Sequence, residues 1–279
     1  MQRIGRIAGI VAGIVLSTGL LLPKAPRLPA AAKSNQPKSE AYVTTTDVAV
    51  EDNGFSATQL PPAQVARYAY WADQGVRFED TWSPERVTLI LSVLDRFTEA
   101  LGEERFLRLI NQGVAYRGTD GVAGLTFGFD PNHTRWIASW NPETGRITVS
   151  ESLFDATHIA AHYRWRFLDD LTEAEPEPVS VQAFAVGHEL GHMIADALRE
   201  EHTARGLAPS YLEDAYVEGI NLNFWANPLQ QAPNESLASE IALWVYNIRR
   251  PRQARTYQAE ILAPALFGEP SSVAPATPE

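Results

Sequence analysis

The sequence predicts an α+β fold in which helices come first, a small mixed sheet follows, and further helices complete the chain. Three observations predict this order. Apolar residues recur at helical spacing between residues 61 and 113. Short segments bounded by Gly, Pro, Asn and Asp then occupy residues 113 to 152, and helical spacing returns to about residue 265. Because helices and strands are segregated along the chain rather than alternating, the pattern favours α+β.

The first helical region contains three segments. "PPAQVARYAYWADQG" predicts a helix that begins near residue 61. In "SPERVTLILSVLDRFTEALG", Ser83 can cap the helix and Pro84 suits the first helical position. "EERFLRLINQG" predicts a third helix that ends at Gly113.

The sheet region contains four candidate strands, "GVAYRG", "GLTFGFD", "RWIASW" and "RITVSES". The turn sequence "NPETG" between Trp140 and Arg146 favours a hairpin between "WIASW" and "RITVS". After "ESLFD" the pattern is helical again, and "PVSVQAFAVGHELGHMIADALREE" reads as one long helix.

The ends of the chain differ from its middle. Residues 1–32 place two arginines, an apolar run and small residues in the order of a secretory signal peptide, with an uncleaved N-terminal membrane anchor as the alternative. Both place the domain outside the cytoplasm. Residues 33–60 predict a flexible linker or short pro-segment, residues 61–267 the folded domain, and residues 268–279 a disordered tail.

Composition excludes several kinds of site. The formal net charge of -11 argues against nucleic acid as a partner, because phosphate binding needs a basic surface. The chain has no cysteine, which excludes disulfides, thiolate nucleophiles and Cys-ligated zinc. A metal ion must therefore be held by His, Asp or Glu.

The chain contains two histidine pairs with a spacing of four residues, which lie on one face of a helix. His188 and His192 belong to "HELGH", and His158 and His162 belong to "HIAAH". Only the first pair has an adjacent acid, Glu189. Two imidazoles and a carboxylate can hold Zn2+ with one position open for water, and a separate carboxylate can act as general base. We therefore expect a zinc site at "HELGH" and a surface helix at "HIAAH".

The third metal ligand must come from further along the chain. A metzincin would continue as HExxHxxGxxH, with glycine where Ala195 stands and histidine where Leu198 stands, and no aspzincin segment is present. A glutamate on a following helix remains, and the candidates are Glu213, Glu218, Glu235 and Glu240.

The segment "PNESLASEIALWVYN" resembles the glutamate helix of gluzincin metallopeptidases related to anthrax lethal factor, in which N-x-x-E-D-F-A-E-x-F-A-L-Y-V supplies the third ligand. Aligned without gaps, Glu235 matches that ligand. The positions that follow match apolar or small positions of the group: Leu237, Ala238, Ile241, Ala242, Leu243, Trp244 and Val245. "RITVSESLF" also resembles the edge strand that lines the substrate cleft of zincins. The resemblance covers roughly residues 135 to 250.

The resemblance implies a zincin-like domain with a small mixed sheet, an HExxH helix and a glutamate helix. It implies a zinc metallopeptidase acting on proteins or peptides, in which His188, His192 and Glu235 hold Zn2+. Together with the signal or anchor segment of residues 1–32, we expect an exported enzyme, and we expect it to be a monomer. Glu189 then acts as general base toward a zinc-activated water. Glu213 and Glu218 remain alternative third ligands, and a secreted or anchored zinc-binding module that has lost catalysis remains the alternative function.

The sequence departs from the group at several positions. Ser236 and Ser239 replace the usual acids after the ligand. The group has a tyrosine shortly before the third ligand to support the oxyanion, whereas "WANPLQQAPN" contains none. The remaining candidates for that role are Tyr211, Tyr216, Tyr246 and His202.

The sequence leaves the roles of one acid and of three tryptophans undecided. Asp196, one helical turn after His192, either orients that histidine or faces solvent. Trp136, Trp140 and Trp244 belong either to the core or to the cleft.

Overall fold

A computed structural model describes residues 55–79, 81–115, 124–133, 136–155, 179–219, 233–248 and 252–269. The predicted signal or anchor segment, most of the linker, the tail beyond residue 269 and the His158–His162 pair lie outside these ranges. Within the same ranges, no helix combines the length and the apolar character needed to cross a membrane.

Helices make up most of the described residues, in two groups separated by three of the four strands of a small sheet, which confirms the predicted α+β class. The first group is α1 (Pro62–Asp73), α2 (Pro84–Leu101) and α3 (Glu103–Ala115). The second group is α4 (Val181–Ala204), α5 (Tyr211–Gly219), α6 (Pro233–Val245), α7 (Arg252–Tyr257) and α8 (Ala263–Phe267), with a π-helical turn, Gln258–Leu262, joining the last two. All described residues fall in the unit Ala49–Glu279.

The sheet is mixed and has four described strands: β1 (Arg77–Phe78), β2 (Thr126–Asp130), β3 (Ala138–Asn141) and β4 (Arg146–Ser150). Their order is β1-β2-β4-β3, with β1 parallel to β2, β2 parallel to β4, and β3 antiparallel to β4. The antiparallel pair places Ala138 opposite Val149, which confirms the predicted hairpin.

The strand beside the candidate site is β3 rather than β4. The resemblance to zincins assigned the edge strand to "RITVSESLF", but β4 pairs with β2 on one side and with β3 on the other. β3 has a described partner on one side only, and its other side contacts α4. The assignment was wrong because local sequence indicates that a segment is extended without specifying its neighbours in the sheet.

Helix α3 continues two residues past the predicted end at Gly113, so the first residues of "GVAYRG" are helical rather than extended. Gly113 does not terminate the helix. A Cβ at this position would come within 2.8 Å of the carbonyl oxygen of Met193, so the glycine allows α3 and α4 to approach closely. The two-residue strand β1 was not predicted, because so short a segment carries no periodic signal.

Core packing begins before residue 61, the expected start of the domain. Phe55 and Leu60 are buried with exposures of 2% and 6%, and the Phe55 ring lies 5.8 Å from that of Tyr68 on α1. The segment immediately before α1 therefore contributes to the core.

Helix α4, which carries "HELGH", lies at the centre of the fold. The Ser180 hydroxyl caps it by accepting a hydrogen bond from the Ala183 N–H at 3.1 Å. The helix packs against α2, α3, α6 and β3, and Phe184, Leu190 and Ile194 are fully buried. Burial on several sides holds α4 rigidly, so side chains on its remaining face have fixed positions.

Gly191 determines how closely α4 and α6 can cross. A Cβ on Gly191 would overlap the carbonyl oxygen of Ala238 in α6. The contact is with backbone, which cannot rotate away as a side chain can. Glycine at this position therefore brings the start of α6, with Glu235, near the histidines of α4.

We expect Gly191→Ala to lower the free energy of unfolding by about 1 to 3 kcal/mol, because α4 and α6 must separate. Helix propensity alone would act in the opposite direction, since alanine is favoured over glycine by about 1 kcal/mol in a helix interior. Urea unfolding of the two proteins distinguishes these effects. A variant more stable than the wild type would contradict the packing explanation.

A buried ion pair ties α3 to α4 and to α8. Arg105 donates to both carboxylate oxygens of Glu201, at 2.5 and 2.8 Å, and to the carbonyl oxygens of Leu266 and Ala265. The exposures of the Arg105 and Glu201 side chains are 9% and 11%. Burial raises the pKa of Glu201, but Arg105 outweighs burial and leaves the pKa below its ordinary value of 4.5.

We expect Glu201→Gln to lower the free energy of unfolding by about 3 kcal/mol at neutral pH, because Arg105 is left without a compensating charge. A carboxyl with a lowered folded-state pKa stabilises above its unfolded pKa, and this stabilisation is lost as the pH falls through the folded value. The difference between wild type and variant should therefore shrink below pH 4.5. Urea unfolding across acidic pH measures it. A difference that persists unchanged in acid would rule out this origin.

Candidate metal centre

His188 and His192 project from one face of α4 toward each other. Their Nε2 atoms are 3.1 Å apart, and the rings meet edge to face with centroids separated by 4.7 Å. The spacing of four residues produces this arrangement, because residues one helical turn apart lie side by side.

Glu235, in the first turn of α6, completes the group. Its Oε2 atom lies 3.2 Å from Nε2 of His188 and 3.4 Å from Nε2 of His192. Among the described residues, these three form the group of His, Asp and Glu side chains whose ligand atoms are close enough for one metal ion. The structure therefore brings the predicted ligands together from α4 and α6.

The spacing of the three atoms fits a tetrahedral metal ion. Ligand atoms about 2.0 to 2.2 Å from one ion lie about 3.3 to 3.6 Å from each other in a tetrahedral arrangement. The three observed separations, 3.1, 3.2 and 3.4 Å, are close to this range. Two imidazoles and one carboxylate suit zinc and other first-row divalent ions.

Electrostatics at the group favour a positive charge between the three side chains. Hydrogen bonds from His188 and His192 outweigh burial and hold the pKa of the Glu235 carboxyl well below its ordinary range. Burial lowers the pKa of His192, but the hydrogen bond to Glu235 and the charge of Glu189 outweigh it and raise the pKa above its ordinary value. A proton and a metal ion would compete for this position.

Ser239 orients the first histidine. Its Oγ lies 3.1 Å from Nδ1 of His188, one helical turn after Glu235. Nδ1 can donate to this hydroxyl, which leaves Nε2 free to face Glu235 and His192. Ser239 thus makes a contact to a candidate ligand where the resembling group has an acid.

We expect Ser239→Ala to weaken metal binding by about 10- to 100-fold, because His188 loses the partner that fixes its ring and tautomer. Ser92→Ala in α2, whose hydroxyl donates to the carbonyl of Leu89 away from the site, is the matched control, and its metal affinity should stay within about threefold of the wild type. Competition with a chromophoric chelator measures both affinities. Equal affinities of the two variants would show that Ser239 has no orienting role.

Glu189 lies beside the group without joining it. Its Oε2 accepts a hydrogen bond from the backbone N–H of Trp140 in β3 at 2.7 Å, and the residue is 9% exposed. Its carboxylate is not one of the three clustered ligand atoms, yet it lines the same cleft. A carboxylate held near a metal group but outside it is placed to exchange protons there.

The group opens into a cleft of about 380 Å³. One wall is β3 with the following turn, the floor is the exposed face of α4, and Asn234 and Glu235 form the far side. Ser150 donates its N–H to the carbonyl of Ile137, so these two residues form a hydrogen-bonded pair between β4 and the residue just before β3. Along an antiparallel pair of strands, every second residue points its backbone N–H and C=O toward the partner strand. The backbone groups of Ala138 and Trp140 therefore point away from β4. The cleft is therefore bordered by strand backbone that β4 does not pair.

The other predicted third ligands are placed elsewhere or lie outside the described side chains. Glu213 is 8% exposed and its Oε1 accepts a hydrogen bond from Arg199 at 2.8 Å. Glu240 is fully buried and accepts a hydrogen bond from Gln258 at 2.9 Å. The side chain of Glu218 is outside the described part of the chain. Of the described candidates, Glu235 is the one that faces both histidines.

The described candidates for oxyanion support do not line the cleft. Tyr246 is buried, with its hydroxyl donating to the carbonyl of Ala183 at 2.9 Å. His202 lies ten residues beyond His192, about 15 Å along the helix axis, and packs against Tyr211 with ring centroids 5.3 Å apart. The side chain of Tyr216 is outside the described residues.

The tryptophans divide between cleft and packing positions. Trp140 lines the cleft. Trp136 stacks on His133 with centroids 3.8 Å apart, and Trp244 packs against Phe267 at 5.7 Å. Neither Trp136 nor Trp244 is among the residues that line the cleft.

The sequence predicted that Asp196 either orients His192 or faces solvent, and in the structure it does neither. Its Oδ2 accepts a hydrogen bond from the indole N–H of Trp140 at 2.9 Å, and its Oδ1 accepts one from Arg199 at 2.5 Å. Both oxygens are therefore engaged by residues other than His192. Sequence reasoning missed Arg199, although it follows His192 by seven residues and so shares its face of α4.

Comparison with known proteins finds no relative of this chain: no family model, no curated protein and no solved structure matches it.

Proposed function

We propose that this chain is an exported zinc metallopeptidase of the gluzincin kind. The observation that carries the proposal is the meeting of three ligand atoms, from His188, His192 and Glu235, within 3.1 to 3.4 Å, beside a fourth carboxylate that is not a ligand. Export rests on the arginines, apolar run and small residues of residues 1–32.

The three residues would hold the metal with one position open, because they supply two nitrogens and one carboxylate oxygen. A zinc ion bound in this way acts as a Lewis acid and lowers the pKa of water toward neutrality. Ser239 holds His188 in the tautomer that directs Nε2 to the metal position.

Glu189 would exchange the proton during hydrolysis. It accepts the proton of the attacking water and then transfers it to the nitrogen of the leaving amine. The Trp140 N–H occupies Oε2 and fixes the orientation of the carboxylate. Glu189 therefore acts as base and then as acid from one position.

The cleft suits an extended peptide. On the cleft side of β3, the backbone groups of Ala138 and the carbonyl of Trp140 point away from β4, while the Trp140 N–H is bonded to Glu189. An extended segment can pair with the groups that remain on this strand edge. Strand pairing recognises peptide backbone independently of side chains, which favours a peptide over a small-molecule substrate.

One observation supports a second candidate, a zinc-binding interaction module that has lost catalysis. No tyrosine lines the cleft among the residues that the structure describes. Transition-state support for the oxyanion would then have to come from another cleft residue, such as Asn234, or be absent.

Cleavage of an unfolded protein distinguishes the two candidates. The purified chain is incubated with unfolded casein, with and without a metal chelator, and zinc is then added back. We expect cleavage that the chelator removes and zinc restores. Zinc binding without cleavage would favour the interaction module, and cleavage that persists without metal would overturn the metallopeptidase proposal.

A further inference from the structure

Four side chains, three of which line the cleft, form a continuous hydrogen-bonded network. Glu213 on α5 accepts a bond from Nη2 of Arg199 at 2.8 Å, and Nη1 of Arg199 donates to Asp196 at 2.5 Å. Asp196 accepts the indole N–H of Trp140 at 2.9 Å. We call Trp140, Asp196, Arg199 and Glu213 the Arg199 network. It links α5 to α4 and α4 to β3.

The network ends at the proposed general base. The same Trp140 whose indole binds Asp196 donates its backbone N–H to Glu189 at 2.7 Å. The position of β3 relative to α4 therefore sets the position of the donor that holds the Glu189 carboxylate. Two contacts of one residue, one through the side chain and one through the backbone, connect the network to the base.

Arg199 is the component on which the others depend. It lies between two carboxylates, Asp196 and Glu213, and its side chain is 33% exposed. Burial lowers the pKa of Arg199, but Glu213 and Asp196 outweigh it and raise the pKa above its ordinary value, so the charge is permanent. Without this cation, the carboxylates of Asp196 and Glu213 would have no compensating charge from the network.

We propose that Arg199 is a positioning residue that fixes β3 against α4 and thereby holds Glu189 in its working orientation. It touches neither the metal position nor the reacting atoms. Its planar guanidinium binds one carboxylate through each terminal nitrogen, a geometry that lysine cannot reproduce. The catalytic part of this inference rests on the proposed peptidase function. The structural part does not.

The test compares Arg199→Met, which keeps the alkyl stem, with Arg205→Met at the residue that caps the C-terminus of the same helix. Arg205 bonds the carbonyl of Gly268 rather than a cleft residue. The first readout is hydrogen exchange of the indole N–H groups by NMR. The chain has seven tryptophans, so the indole N–H signal of Trp140 must be assigned. It is the signal that disappears in the spectrum of Trp140→Phe. This readout requires neither metal nor substrate.

We expect the Trp140 indole proton to exchange about fivefold faster in Arg199→Met and at an unchanged rate in Arg205→Met, since the loss of one supporting hydrogen bond, about 1 kcal/mol, corresponds to about a fivefold change. In zinc-loaded protein, kcat should fall about tenfold in Arg199→Met while KM and zinc content stay unchanged. Trp140→Phe should show a similar fall, and the double variant should be no slower, because both changes interrupt one network.

Separate results overturn separate claims. An indole exchange rate that does not respond to Arg199→Met overturns the network, and a kcat equal to that of Arg205→Met overturns the positioning role. A wild-type protein that hydrolyses no peptide contradicts the proposed function, while the indole measurement still decides the structural part. If Arg199→Met fails to fold, Arg199→Lys and Glu213→Gln, which weaken the same contacts, provide the same comparison.

Discussion

Replacing Glu189 with glutamine is expected to abolish peptide hydrolysis while leaving metal binding intact. Glutamine has the same shape, and its side-chain oxygen can still accept the N–H of Trp140, so the cleft should keep its geometry. An amide cannot take up the proton of the attacking water. The loss should be about 100- to 10,000-fold in kcat, the range over which general acid–base groups contribute.

The matched control is Glu200→Gln, which makes the same chemical change at an exposed position of the same helix. Its hydrolysis rate should equal that of the wild type. The measurement is the initial rate on a fluorogenic peptide, together with the zinc content of each purified protein. Cleavage by Glu189→Gln at the wild-type rate would exclude Glu189 as the base. Loss of zinc from that variant would instead make Glu189 a ligand.

Replacing Glu235 with glutamine is expected to weaken zinc binding by more than about 100-fold. Loss of a direct ligand should cost more than loss of an outer-shell partner, which costs about 10- to 100-fold. Glutamine also removes the negative charge that the two histidines surround, at 3.2 and 3.4 Å. Hydrolysis should fall together with metal occupancy and should recover partly at high zinc concentration.

The two alternative third ligands, Glu213 and Glu218, serve as controls for the effect of Glu235→Gln on zinc affinity. Glu213→Gln and Glu218→Gln should bind zinc within about threefold of the wild type, measured by competition with a chromophoric chelator. Glu213 already bonds Arg199, so its replacement should alter the Arg199 network rather than the metal affinity. A large loss of zinc affinity in either variant, with Glu235→Gln unaffected, would assign the third ligand to α5.

Strong periodic patterns predicted the helices well. The long pattern of α4 is reproduced in the structure, as are Ser83 and Pro84 at the start of α2. The errors occur where tertiary contacts decide. Gly113 looks like a helix terminator in sequence, whereas in the structure it allows α3 to approach Met193. β1 exists because β2 is available to pair with it.

The candidate site was predictable in part. A spacing of four residues places His188 and His192 together whatever the rest of the fold does. Glu235 is 43 residues from His192 along the chain, and its approach depends on the close crossing of α4 and α6 at Gly191. The resemblance to gluzincins suggested this glutamate, whereas spacing alone left four candidates open.

The Arg199 network could not be predicted from the sequence. The spacing of seven residues after His192 places Arg199 on the cleft face of α4, but its partner Glu213 comes from a different helix. Whether Glu213 faces the metal position or Arg199 depends on the path of the chain between α4 and α5. Neither periodicity nor composition encodes that path.

The central claim is that His188, His192 and Glu235 hold one metal ion. Anomalous scattering at the zinc edge from crystals of the zinc-loaded protein tests it most directly. We expect a single strong peak about 2.0 to 2.2 Å from Nε2 of both histidines and from a carboxylate oxygen of Glu235. The Glu189 carboxylate should lie close to the peak without bonding it. A peak held by Glu213 or Glu218, or no peak at this group in zinc-loaded crystals, would contradict the claim.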